Sequence, residues 1–467
     1  MDRLQFLKIM GMSVVGAALA PEILAGSVMD SPRKLSDMDL GSKRLDSDTP
    51  HQVKVLVLGA GQRGSAYASY AAMYPDAMKI IGVADINPVR LAKMADEHGV
   101  DGKYRFSDWS QALAAGRIAD AVIISLPDDV HYEPCMEALS MGYHILLEKP
   151  VAPTRRECED IRDLANRKGT IVAVCHVLRY APYFVALKRV VDSGMIGKLV
   201  SIQHFEPIRY AHMAHSYVRG NWHNSKKTTP IILAKSCHDL DIIRWIVASP
   251  CRSISAYGSL SFFTHENRPA GATPRCTDGC PHESRCPYSA IDIYTRKHQH
   301  TYVFDNLPPR GPERERAIIE YLKTTDYGRC VFDMDNDQCD HYVANMEFAN
   351  GVTAAFSMEA FTAKGGRRTR VMGTHGMIEG DMEKFTVTEF LTGESQEWSA
   401  ADVVEVAEYA GHGHGGGDLC LVRDFVNAVG NNDPGRLTSS IDVSTESHVM
   451  GFCAEDSRLK HKKVKVN

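Results

Sequence analysis

The chain has 467 residues, 44% of them hydrophobic and 24% charged, with a formal charge of −5 and a pI near 6.5. That length exceeds one ordinary core, at roughly 100 to 200 residues per domain, and predicts two domains. No long basic run or aromatic-interleaved Lys/Arg stripe is present, which argues against a nucleic-acid partner and for a small molecule.

Residues 1–26 read as an export leader: Arg3 and Lys8 flank the start, residues 9–20 are apolar and small, and Ala18-Leu19-Ala20 and Leu24-Ala25-Gly26 offer cleavage sites. The phrase DRLQFLKIMG is similar to a twin-arginine signal with Leu4 in place of the second arginine, and Pro21 sits just past the first cleavage site. Export to the periplasm is the expectation, and an uncleaved amphipathic helix on a cytoplasmic protein is the alternative. The stretch is too short for a good membrane span, no other apolar run reaches ~18 residues, and no span is expected in the mature chain. Residues 27–50, rich in Ser, Asp, Pro and Lys, read as a linker. The division expected is leader and linker over 1–50, a nucleotide-binding domain over 51–175 and a catalytic domain over 176–467.

Val53–Leu58, VKVLVL, is a β-branched apolar run that leads straight into Gly59-Ala60-Gly61-Gln62-Arg63-Gly64 and then an Ala- and Tyr-rich helical stretch. Strand, G-x-G-x-x-G and helix together form a dinucleotide fingerprint: Gly59 for the tight turn, Gly61 for the approach of the pyrophosphate, Gly64 for close packing of helix on strand. The phosphates then meet free N–H groups at the helix start, with Gln62 and Arg63 beside them. A second strand, MKIIGVADIN, ends in Asp85, at the spacing where an acid takes the ribose 2′-hydroxyl. Its charge repels a 2′-phosphate, so NAD is expected over NADP, with Arg90 keeping NADP as the alternative. Helices over 88–98, 109–115 and 131–141 alternate with strands in GKYRF, ADAVIISLP and YHILLEKP, the pattern of a doubly wound parallel sheet.

Through VLGAGQRG, VADIN, VIISLPDDVHYEPCMEAL and HILLEKPVAPT, residues 53–459 resemble the Gfo/Idh/MocA family of glucose-fructose oxidoreductase and inositol dehydrogenase relatives. The resemblance implies a Rossmann domain followed by an α+β domain with an open, mainly antiparallel sheet. It also implies a homo-oligomer and oxidoreductase chemistry on a hydroxyl of a sugar, polyol or glycoside, using NAD. It places Lys149 of Glu148-Lys149-Pro150 where nicotinamide meets substrate, with Glu148 as its partner. In TTPIILAKSCHDLDIIRWIV it matches the second catalytic segment, with His238 and Asp241 as its His-x-x-Asp. A histidine of ordinary pKa near 6.5 suits proton acceptance from an alcohol. Family members commonly carry Asp four residues before this histidine. Here that position is Ala234, and Lys235 is the candidate replacement for the missing polar group.

Candidate substrate contacts are Arg179 in HVLRYAPYF, Tyr210, His212 and Trp222 on the loop after the strand expected at 199–206, and His414 in the glycine-rich run 411–418. Of twelve cysteines, five fall between Cys276 and Cys339. Cys276, Cys280, Cys286 and a more distant Cys330 could close a structural zinc site, with reduced thiols or, in an exported chain, disulfides as the alternatives. Residues 276–326 look like an insertion rich in Pro and charge. Three functions stay open: a dehydrogenase, a redox-neutral glycosidase that oxidises, eliminates and returns the hydride, and a nucleotide-binding sensor without turnover. The first two need the same Lys149, His238 and NAD.

Overall fold

The computed structural model of the chain describes residues 34–41, 47–402 and 413–466, and the leader expected over 1–26 lies outside them. Two units are distinguished, Met1–Asp39 and Leu40–Asn467. The described part of the first carries one 3-10 turn, Leu35–Asp37. The second holds both sheets.

Six strands form an all-parallel sheet: β1 (Val53–Leu58), β2 (Met78–Ala84), β3 (Arg105–Phe106), β4 (Ala121–Ile124), β5 (His144–Leu147) and β6 (Val172–Val174). Their spatial order is β3-β2-β1-β4-β5-β6, so the winding reverses between β1 and β4 and opens a crevice at their carboxyl ends. β1 shows why the sheet is buried on both faces. Val53, Val55 and Val57 enter one apolar cluster, and Leu56 and Leu58 enter the other. The stretch GKYRF is a correction: only its last two residues are strand, because Asp101 caps a 3-10 turn over Gly102–Tyr104.

Helix α1 (Gln62–Met73) follows the glycine loop, and α2 (Pro88–Glu97) starts under an Asn87 cap whose Oδ1 accepts from the Val89 and Arg90 N–H groups. One face of the sheet is completed from the far end of the chain. Leu419, Val422, Phe425 and Val426 of the helix Gly417–Asn431 join the cluster of Val53 and Tyr67. That packing brings the start of a C-terminal helix to the glycine loop. The end of the expected linker is tied there too, by Asp48 pairing with Arg436 at 2.7 Å.

The second sheet has nine strands, in the order β14-β13-β12-β11-β7-β10-β9-β8-β15. They are β7 (Leu199–Pro207), β8 (Cys251–Ser259), β9 (His341–Phe348), β10 (Thr353–Glu359), β11 (Arg368–Gly373), β12 (Gly376–Gly380), β13 (Lys384–Glu389), β14 (Ser395–Ser399) and β15 (Val464–Lys465). All pairings are antiparallel except β7 with β10. The last helix, Ile441–Lys460, packs on β8 and on the helix Cys237–Val247. Among the described residues no helix is long and apolar enough to cross a membrane.

The insertion holds a helix, Pro312–Thr324, that its composition did not suggest. Its cysteines are a second correction. Cys276, Cys280, Cys286 and Cys330 are free thiols, and among the described residues no group of three or more His, Cys, Asp or Glu is placed to hold a metal. A buried cation stands there instead: Arg219, 2% exposed, donates to the Cys276 sulfur at 3.7 Å and to the Arg329 and Tyr288 carbonyls at 2.7 and 2.8 Å. A zinc ion beside that guanidinium would meet like charge.

Candidate active site

Four residues follow four neighbouring parallel strands by one position each: Gly59 after β1, Asp85 after β2, Ser125 after β4 and Glu148 after β5. They rim the crevice where the winding reverses. Gly59 has φ +97, and a Cβ there would lie 2.6 Å from the Ser125 carbonyl oxygen; a Cβ on Gly64 would lie 2.0 Å from the Gly59 oxygen. Those two glycines are demanded by the chain itself. Gly61 is different, because the nearest atom to its Cβ position is Arg90 Nη1 at 4.0 Å. The space over Gly61 is open, as a pyrophosphate resting on the start of α1 requires. Asp85 accepts from Ala60 N–H and Asn87 N–H, each at 2.7 Å, with one carboxylate oxygen apiece. Each oxygen keeps a lone pair for a ribose hydroxyl. The donor set therefore fits a dinucleotide, which Gly59, Gly61 and Gly64 would cradle, with the exposed Gln62 opening the helix and Asp85 available to a ribose.

Arg63 faces away from that cradle. Its Nε donates to Glu148 Oε1 at 2.8 Å, Nη1 and Nη2 reach Asp418 at 3.0 and 2.8 Å, and Nη2 also meets the Tyr67 hydroxyl at 2.6 Å. Its guanidinium thus clamps the glycine loop to the Glu-Lys-Pro segment and to the C-terminal helix. Burial opposes ionisation of Glu148, but the charges of Arg63 and Lys149 outweigh it and hold the carboxyl below its usual range. Asp418 also accepts from His414 Nδ1 at 3.0 Å, so His414 belongs to the same chain of charge.

Lys149, just beyond the end of β5, reaches the short helix Ile231–Ala234. Its Nζ donates to the Ala234 carbonyl at 2.8 Å and lies 6.0 Å from the centre of the Trp222 ring. Where relatives of the resembling family carry Asp, this chain offers that backbone oxygen. His238 sits on the first turn of Cys237–Val247, 5% exposed, and its Nδ1 has no hydrogen-bond partner among the described residues. Burial, and then the Lys149 charge, push the His238 pKa well below the ordinary imidazole value. The ring is neutral at neutral pH, as a proton acceptor must be.

His238 is one of a file of four histidines that spacing could not reveal. His448, His176, His238 and His414 follow one another with ring centres 5.4, 5.9 and 5.9 Å apart. His176 is fully buried, and neither ring nitrogen has a hydrogen-bond partner among the described residues. His448 accepts from Val151 N–H at 3.0 Å and contacts the Ser444 carbonyl at 2.7 Å through Nδ1. Burial lowers His176 to about 3 and His448 to about 4.

Two expected site residues serve elsewhere. Arg179 is 4% exposed and forks onto Asp241 at 2.6 and 2.7 Å, so its donors are spent inside the protein and it is corrected from a substrate contact to a buried ion-pair residue. Lys235 pairs with Glu206 at 3.3 Å. Glu206 also meets Arg367 at 2.9 Å, and Arg367 pairs with Asp239, which accepts from His204 at 3.0 Å. Lys235 thus ends a buried charge network in place of an acid beside His238. Trp222 stays near Lys149. Tyr210 receives Lys297 Nζ at 3.1 Å, and His212 lies between Tyr217 and His300, 5.9 and 5.4 Å away. The rings of Trp222, Tyr217, His212 and His300 form one aromatic wall leading away from Lys149.

Comparison with known proteins bears on the fold and the family. Scyllo-inositol 2-dehydrogenase (NAD(+)) of Bacillus subtilis is 27% identical over 210 residues, 45% of this chain and 58% of that protein. Inositol 2-dehydrogenase of Salmonella typhimurium is 24% identical over 44% of this chain and 57% of its own. Among solved structures, scyllo-inositol dehydrogenase of Lactobacillus casei with NAD(H) and scyllo-inositol superposes with a TM-score of 0.59 at 18% identity, covering 89% of this chain and 99% of that one. Levoglucosan dehydrogenase with NADH and levoglucosan gives 0.64 at 19%, over 89% and 99%. At such identities the superpositions establish the fold alone. Residues 53–176 match the oxidoreductase family's NAD-binding Rossmann fold and residues 188–466 its C-terminal alpha/beta domain, so the chain belongs to the Gfo/Idh/MocA oxidoreductase family.

Proposed function

We propose that the protein oxidises a ring hydroxyl of a sugar, polyol or glycoside with NAD. The observation that carries this reading is that Lys149 Nζ, held on the Ala234 carbonyl, lies within electrostatic reach of the buried, neutral His238, in a chain whose strand-end glycine loop leaves Gly61 uncovered. Bound NAD supplies a hydride acceptor. Lys149 holds the hydroxyl oxygen and stabilises its developing negative charge, while His238 takes the hydroxyl proton as the carbinol C–H bond breaks. Trp222 and the wall beyond it offer the apolar face of a sugar ring a stacking surface. Asp85 disfavours a 2′-phosphate, which supports NAD over NADP.

A second form of the reading rests on the His414–Asp418 pair. A simple dehydrogenation needs one base, and this pair places a second imidazole 5.9 Å from His238. Such a group suits removal of the C–H proton next to a newly formed ketone, the step by which a glycosidic bond is eliminated before the hydride returns. A panel of free sugars, polyols and aryl glycosides separates the two. A dehydrogenase accumulates ketone and reduced nicotinamide in equal amounts. The redox-neutral enzyme releases aglycone with catalytic NAD, no net reduction, and solvent deuterium beside the oxidised carbon. Tight NAD binding with no turnover on the whole panel would leave a sensor and withdraw the enzymatic reading.

The outer face of the nine-stranded sheet, with Tyr257 and Val343 exposed, supports a homo-oligomer through that surface, which sedimentation would test.

A further inference from the structure

The insertion reaches the nucleotide site through Asp305. Arg90, on the first turn of α2, has its guanidinium over the glycine loop, with Nη1 the nearest atom to the Cβ position of Gly61. A free arginine there, beside the ribose-facing Asp85, is the natural partner of a 2′-phosphate. It is not free: Asp305 accepts from Arg90 Nε at 3.0 Å and Nη2 at 3.1 Å, and from Asn87 Nδ2 at 2.9 Å. Asp305 is itself held in place. Its carbonyl accepts from the Tyr321 hydroxyl at 2.7 Å, and Phe304 beside it is buried between Tyr294 and Tyr321, 5.2 and 5.3 Å away. The Arg90 and Asp305 side chains are 37% and 28% exposed, so the pair adds little to stability. Its consequence is electrostatic: the Arg90 fork is already neutralised, with two carboxylates, Asp85 and Asp305, beside it.

We propose that Asp305 is a specificity residue for the cofactor, occupying the Arg90 fork so that the 2′-phosphate of NADP finds like charge instead of a cation. The proposal rests on the reading that this loop holds NAD. It gives the insertion a role in cofactor choice that the nucleotide domain cannot supply alone.

Direct binding of NADH and NADPH to the full-length protein, followed by nicotinamide fluorescence and calorimetry, tests it without turnover. Asp305→Ala should tighten NADPH about tenfold, the scale of one charge-assisted pair gained, and change NADH less than about threefold. Asp305→Asn keeps an acceptor for Asn87, guards against loss of folding, and should move the ratio the same way. In the double variant Asp305→Ala/Arg90→Ala the NADPH gain should vanish, and Arg90→Ala alone, which leaves the Asp305 charge uncompensated, should not tighten NADPH. An unchanged NADPH/NADH ratio in both Asp305 variants, or a gain that survives loss of Arg90, overturns the proposal. Wild-type protein that binds neither nucleotide overturns the cofactor reading with it, whereas NADH binding with an immovable ratio overturns the proposal alone.

Discussion

In the nucleotide half, Gly59, Asp85, Ser125 and Glu148 each stand one residue beyond a parallel strand, so the fold alone sets their positions. In the catalytic half the same precision comes from side chains far apart in sequence: Arg179 on Asp241, and Arg367 on Asp239 and Glu206. The first kind of site is fixed by hydrogen-bonded backbone. The second is fixed by buried charge, and it should fail differently when a partner is removed.

The largest effect expected is on stability. Arg179→Ala leaves Asp241 ionised and 1% exposed without its fork, at a cost of about 3–5 kcal/mol in urea unfolding. A substrate contact would instead raise KM in a protein of unchanged stability, and that result would restore the role corrected above.

His238→Asn should lower turnover about 10²-fold or more, while NAD binding at the strand ends survives. Because burial and Lys149 keep the His238 ring neutral, the acid limb of the wild-type pH–rate profile should fall below the ordinary histidine value of 6.5. A limb at or above that value would mean that another group is the base.

The histidine file predicts a pH slope. His176 and His448 have folded pKa values near 3 and 4, depressed from 6.5 by burial. Below pH 6.5 the unfolded chain takes up protons that the folded one refuses. The stability these neutral rings allow is therefore intact above pH 6.5 and lost as pH falls toward 3. Each group contributes up to about 1.4 kcal/mol per pH unit across its window. His448→Gln should flatten the slope between pH 6 and 4, in denaturation at each pH, by about one proton's worth.

The smallest effect should come from Trp222→Ala. The ring is 6.0 Å from Lys149 Nζ, worth about 0.5–1 kcal/mol as a cation–π contact, so turnover at saturation should change only about two- to fivefold. A loss as large as that at His238 would make Trp222 part of the positioning of Lys149.

The same contrast explains what the sequence made legible. Gly59, Gly61, Gly64 and Asp85 announce themselves because strand, turn, helix and second strand have a spacing with a clear physical reading, whereas Lys149 was picked out only by the resemblance of its Glu-Lys-Pro segment to the family. Arg179 and Lys235 misled because an arginine or lysine looks alike whether its partner is a ligand or a carboxylate 62 residues on, as Asp241 is from Arg179. His176 and His448 carried no signal at all: they meet only when the helix Ile441–Lys460 packs beside Cys237–Val247. Asp305 was hidden in the same way, by the distance of 215 residues between it and Arg90. The cysteine run shows the reverse case, in which spacing suggested a metal and the described residues bring no metal-holding group together, with Arg219 against the Cys276 sulfur.

The most direct test of the central claim follows the nicotinamide itself. Protein loaded with NAD is mixed with a polyol or glycoside that the wild type turns over, and the near-ultraviolet absorbance of reduced nicotinamide is recorded in a single turnover for wild type and Lys149→Ala. The account predicts rapid reduction in the wild type, and about 10²-fold slower reduction in the variant with NAD affinity retained. Equal rates of reduction in the two proteins would contradict it.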